Sequence, residues 1–266
     1  MRHAWGVLLL PLLLEGCFGG DGRSPVYVQT TLLRMELPER PSRVVGLTTS
    51  HSGRRAFVLL TRDQVTQAPS ATATVATDEA PSYVDDSTFI GRAELTLWKR
   101  LTFGYSNRES GPRLVHFRFY LAGPERERAK SGDVSLALTG AFGRDRRTFY
   151  GQVYDFNTST MLNYETRLAR QQQDLGLILG LRLGKPFLLY GGPYYQRSRF
   201  VFDHDRPSTP TSHGEGESQA RGMHLGLALL AGRFSTIMAE WSRAQVTSPG
   251  DRQTLGTTGL TYQMNF

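Results

Sequence analysis

From residue 89 to the last residue, apolar and polar side chains alternate one for one, stretch after stretch. A chain written this way has few options. Successive side chains on an extended strand point to opposite faces, so strict alternation specifies sheets whose two faces meet different surroundings. "FIGRAELTLW" sets Phe89, Ala93, Leu95 and Leu97 against Arg92, Glu94 and Thr96. "LVHFRFYL" sets Val115, Phe117 and Phe119 against His116, Arg118 and Tyr120. "DVSLALTGAF", "TFYGQVYDF", "MLNYETRLAR" and "DLGLILGLRL" follow in the same rhythm, and no stretch carries a 3.6-residue stripe. Lys99-Arg100, Gly184-Lys185-Pro186 and Gly232-Arg233 read as tight turns.

Two all-β architectures satisfy this pattern. One is a soluble sandwich or small closed barrel. The other is an antiparallel up-and-down transmembrane β-barrel, whose segments of about ten alternating residues average to modest hydropathy. Hydrophobic residues make up 39% of the chain, yet its mean hydropathy is −0.34, as such averaging requires. Three features favour the membrane. Aromatics collect near strand ends (Trp98, Tyr105, Tyr120, Tyr194, Tyr195, Trp241, Tyr262). Short and long connections alternate. The minority face holds charges of both signs: Arg92, Glu94, His116, Arg118, Glu165, Arg167, Arg182, His224 and Glu240 are the expected lumen residues.

The two ends carry resemblances. "MRHAWGVLLLPLLLEGC" has a positive start, an apolar run and a small residue before Cys17, the layout of a secretory signal peptide over residues 1–16. Leu14-Glu15-Gly16-Cys17 resembles a bacterial lipobox, with Glu15 where that pattern has an uncharged residue. The resemblance implies lipidation at Cys17, and a lone cysteine in an exported chain has no internal partner. At the other end, Leu260, Tyr262, Met264 and the terminal Phe266 alternate as in the last strand of bacterial outer-membrane β-barrels. That resemblance implies outer-membrane residence, periplasmic termini, and outer-membrane lipids and the barrel-assembly machinery as partners.

Counting strands back from Phe266 gives about eleven to residue 89. "RVVGLTTS", residues 43–50, supplies one more to make the number even, so about twelve are expected, with ten to fourteen allowed. The expected organisation is a signal peptide (1–16), a tether (17–42) and a barrel (43–266). Long surface loops are expected at about 51–88, with a short strand at 54–60, and at 203–219.

The chemistry is sparse. The net charge of +7 brings nucleic acid to mind, but an export signal argues against it. "FDHDRPSTPTSHGEGE" gathers carboxylates and imidazoles without the spacing of a metal site. No nucleophile motif accompanies His116 or His224, so an intramembrane lipid hydrolase ranks last and no enzyme is expected. No phosphate-cradling or other cofactor motif is present. "RDRR", 144–147, offers guanidinium forks to lipopolysaccharide phosphates. Two roles for the lumen charges stay open: a ring that selects small solutes in a passive pore, or opposite signs that pair and fill the interior of a structural or surface-interaction protein. A lipid-anchored periplasmic β-sandwich that binds a ligand is the alternative class.

Overall fold

Alternation becomes a closed wall. The computed structural model describes residues 26–30, 34, 36–41, 45–52, 55–60, 83–84, 88–98, 100–108, 112–155, 160–206, 209–231, 235–248 and 251–265. Thirteen strands lie within them. They are β1 (Val26–Thr30), β2 (Val45–Ser52), β3 (Arg55–Leu60), β4 (Tyr83–Val84), β5 (Thr88–Trp98), β6 (Leu101–Arg108) and β7 (Arg113–Ala122), then β8 (Val134–Asp155), β9 (Thr160–Arg182), β10 (Phe187–Arg206), β11 (Thr209–Ala231), β12 (Ser235–Ser248) and β13 (Asp251–Asn265). Ten of these, β2 and β5 to β13, form one antiparallel barrel, closed by the pairing of β13 with β2. Strands β1, β3 and β4 make a separate small sheet. The architecture is a single closed sheet, so the sandwich alternative falls.

Ten strands sit at the bottom of the expected range, two below the central expectation. The surplus has a physical origin. "DVSLALTGAF" and "TFYGQVYDF" are one strand, the 22-residue β8, and "MLNYETRLAR" continues into "DLGLILGLRL" as the 23-residue β9. A bilayer needs only about ten residues per tilted strand, so β8 to β11 run well past it. The expected loop at 203–219 is likewise the paired far end of β10 and β11, in register from Asp203↔His213 downward. Within 51–88 the structure places the end of β2, the expected short strand as β3, and β4, while residues 61–82 lie outside the described ones.

The outer face carries an apolar belt. On β9, Leu175, Leu177, Leu179 and Leu181 point outward, Leu183 follows just past the strand's end, and Leu179 is 54% exposed. Met223, Leu225, Leu227 and Leu229 do the same on β11, and Phe103, Tyr105, Val115, Phe119, Trp241, Leu260, Tyr262 and Met264 extend the belt around the wall. Large exposed hydrophobics on one strand after another face lipid, not water. Tyr120 and Tyr194, expected in an interfacial girdle, are instead buried inside. Leu260, Tyr262 and Met264 face outward as the alternation requires, whereas Phe266 lies outside the described residues.

One end of the barrel holds the short turns, the 123–133 connection and the end of β13. The other holds the long hairpins. Gly123 and Gly132 in that connection adopt positive φ (108° and 88°), which glycine adopts without a steric penalty. Following a hydrogen-bonded row once around the wall returns to β9 displaced by about twelve residues, the stagger that tilted strands need in order to close. Eight strands leave an interior just filled by side chains. Ten leave room for something more.

Candidate functional site

What fills that room is the chain's own segment 34–41. The expected tether is threaded into the lumen. Arg34, Glu36, Leu37 and Glu39 are all buried against the inner wall. No periodicity announces this stretch, because an extended segment surrounded on all sides has no preferred face.

Arg34, Glu36, Leu37, Glu39 and Arg40 each meet a matched partner. The Arg34 backbone N–H donates to Glu240 Oε1 at 2.7 Å, and its guanidinium lies 3.5 Å from Asp174 and 5.5 Å over the Tyr194 ring. Tyr190 OH donates to the other Glu240 oxygen at 3.2 Å. Glu36 accepts from Arg92 Nη1 at 3.1 Å. Leu37, 1% exposed, enters an apolar cluster of Ile178, Leu188, Tyr190, Ala228, Leu230 and Met238. Glu39 takes both ends of the Arg182 fork, Nε at 2.9 Å and Nη2 at 2.6 Å. At the short-turn end Arg40 pairs with Glu125, and Arg126 N donates to Arg40 O at 3.0 Å.

Charge bookkeeping explains the fit. Among the described residues the buried wall holds four arginines (Arg92, Arg118, Arg170, Arg182) against three carboxylates (Glu94, Asp174, Glu240). The segment contributes one arginine and two carboxylates, which balances the interior at five against five. Buried ions are tolerated only when paired and hydrogen-bonded. The wall and the segment complete each other in this sense.

The expected lumen residues mostly hold their places. Arg92, Glu94, His116, Arg118, Arg182, His224 and Glu240 are inward and buried. Arg118 Nη2 donates to Glu94 Oε1 at 2.6 Å and Nη1 to Tyr120 OH at 3.1 Å. The His224 ring sits between Tyr190 and Tyr194, 6.2 Å from each. Glu165 and Arg167 are corrections. They share the outward parity of Leu175 and pair with each other at 2.7 Å, with Arg167 exposed. They stand beyond the belt, where the outer face meets water, so the polar residues of β9 switch to the outside. Leu168 is correspondingly buried within.

Sequence reasoning left His116 without a serine or an orienting carboxylate, and the fold supplies both. Ser106 Oγ lies 2.6 Å from His116 Nε2, and Glu36 Oε1 lies 3.6 Å from Nδ1. Arg92 Nη2 faces the same Nδ1 at 3.3 Å, so that nitrogen meets a guanidinium and a carboxylate together. Ser106 is also fully buried.

Beyond the belt the outward face is basic. Arg113, Arg144, Gln171, Arg199 and Glu217 lie side by side in one row across β7 to β11. Arg197 forks onto Glu217 at 2.7 and 2.6 Å, and Arg199 adds a third bond at 3.1 Å. These bonds, the Arg197 fork foremost, hold the Glu217 carboxyl down to about 2. His213 Nδ1 and Asp203 Oδ1 are 2.7 Å apart, and no group of three metal-ligating side chains occurs among the described residues.

A closed antiparallel barrel of even strand number, apolar outside and charged inside, defines a transmembrane β-barrel of the bacterial outer-membrane type. The chain resembles the outer membrane protease OmpT from Escherichia coli at 9% identity, over 84% of this chain and 94% of that one, with a TM-score of 0.42. It resembles Ail, the attachment invasion locus protein of Yersinia pestis, at 12% identity over 84% and 99%, with a TM-score of 0.36. It resembles the outer membrane channel DcaP of Acinetobacter baumannii at 5% identity over 92% and 97%, with a TM-score of 0.19. No family model matches the chain, and no curated protein sequence does.

Proposed function

We propose that this is a closed, non-conducting outer-membrane barrel whose work is done by its extramembrane hairpins, as a structural or surface-interaction protein and not as a solute pore or an enzyme. The observation that carries the reading is the lumen segment 34–41, which occupies the bore and neutralises its wall. A selective pore keeps its charges hydrated and unpaired across the path. Here Arg92, Arg118, Arg182 and Glu240 spend theirs on neighbours.

In this reading the long hairpins face outward from the cell. The outward arginines just past the belt, Arg113, Arg144, Arg221 and Arg243, support it. They stand at headgroup level, where guanidinium forks bind the phosphates of lipopolysaccharide. The barrel-assembly machinery reads the last strand, and lipidation at Cys17, which lies outside the described residues, adds a second attachment.

The test is conductance. Purified protein in a planar bilayer should carry no steady current, while a variant lacking residues 26–41 should open. Steady conductance from the intact protein, of the same size as the deletion variant's, refutes the reading.

A further inference from the structure

We infer that the chain enters its own barrel from the long-hairpin end, so that β1, ahead of Arg34, is displayed on the opposite side of the membrane from the end of β13. The direction follows from the order of contacts along β9. Arg34 lies against Asp174, Leu37 against Ile178, and Glu39 against Arg182. Residue numbers on the segment and on β9 rise together, so both run toward the short-turn end. There the segment is received by the 123–133 connection through Arg40 and Glu125. It then turns back to start β2 at Val45.

The upstream side agrees. Thr30, four residues before Arg34, pairs with Ala56 of β3. Ala56 lies four residues past Ser52, where β2 leaves the wall at the end away from the short turns. Four residues span at most about 14 Å, so β1 stands by the long-hairpin mouth. Ten wall strands alone would return both ends of the chain to one side. One further pass through the lumen makes the number of crossings odd. The expectation of a periplasmic start to the barrel domain therefore gives way: the small β1–β3–β4 sheet joins the hairpins as one exposed surface.

The inference concerns sidedness within the molecule and holds whichever way the barrel sits in the membrane. It is tested on the full chain in intact bacteria with three epitopes, carried singly: one ahead of Val26, one between β10 and β11, and one within residues 123–133. The first two should be reached by antibody on the same side, and the third only on the other. An epitope ahead of Val26 that is accessible together with the 123–133 epitope overturns the threading. If the first two are both hidden while the 123–133 epitope is exposed, threading stands and the outward orientation proposed above falls. Should an epitope block assembly, the unaltered protein serves. Trypsin added to intact cells should cut after Arg23 without cutting at Arg128, and cutting at both or neither before lysis, with both sites cut after it, removes the support for opposite sides.

Discussion

The pairing of Glu39 with Arg182 fixes a number. Glu39→Ala removes two charge-assisted bonds, of 2.9 and 2.6 Å, from a guanidinium only 2% exposed. Taking one partner from a buried ion pair costs about 3–5 kcal/mol, chiefly because the other charge stays behind. Arg182 keeps two carbonyl acceptors, Lys185 O at 2.8 Å and Arg126 O at 3.0 Å, so the lower end applies, about 3 kcal/mol. At about 1.4 kcal/mol per tenfold, the fraction of molecules with the segment out of the bore should rise roughly a hundredfold. Deuterium exchange at the amides of Glu36, Leu37, Glu39 and Arg40 in detergent micelles reads that fraction directly. Pairing the change with Arg182→Met should restore part of the protection, since no uncompensated buried charge then remains. Protection unchanged in Glu39→Ala, or lost equally in the single and double variants, would show that this pair does not hold the segment.

Leu37→Ala should loosen the same segment by about 2–5 kcal/mol, because it empties a pocket lined by Ile178, Tyr190 and Met238; the same exchange experiment measures it. Gly226→Ala should lower the urea midpoint of refolded protein by the equivalent of about 1–3 kcal/mol. A Cβ there would fall 2.3 Å from the Tyr190 ring and push its hydroxyl off Glu240. The folded value of Glu217 is depressed to about 2, so its contribution to the outer hairpin is fully present above the unfolded value near 4.5 and fades as pH falls toward 2. Carboxyl NMR should show that titration, and Arg197→Gln should return it toward 4.5. A serine-directed fluorophosphonate should leave Ser106 unlabelled in the folded protein, and labelling there would contradict the complete burial of its hydroxyl.

The wall was legible from sequence wherever one face meets lipid. Leu175 to Leu183 and Met223 to Leu229 alternate because hydrocarbon tolerates no polar group on that side, and the same rule sent Arg92, Arg118 and Glu240 inward. It stopped working past the belt. At Arg167 the outer face becomes aqueous, the sign of the pattern inverts within one continuous strand, and a reader counting runs sees two strands in β9. Residues 34–41 were illegible for a different reason. Alternation reports two environments, and a segment enclosed on all sides has one. Its clue lay in composition: Arg34, Glu36 and Glu39 are the charges that the wall lacks. Ser106 could not be matched to His116 without the register of β6 on β7.

The seam between β13 and β2 constrains the order in which this molecule can be made. It joins the last strand of the chain to the first of the wall through seven residue pairs, from Gly259↔Ser52 to Asn265↔Gly46. The segment it encloses is continuous with β2. If the seam zipped first, the whole upstream stretch of chain would have to be hauled through a finished cylinder lined with buried arginines. If the segment lies against β9 and β10 beforehand, the wall wraps around it and the seam is merely the last stitch. Assembly is thus templated from inside, and variants that weaken the segment's grip should appear first as barrels that close slowly.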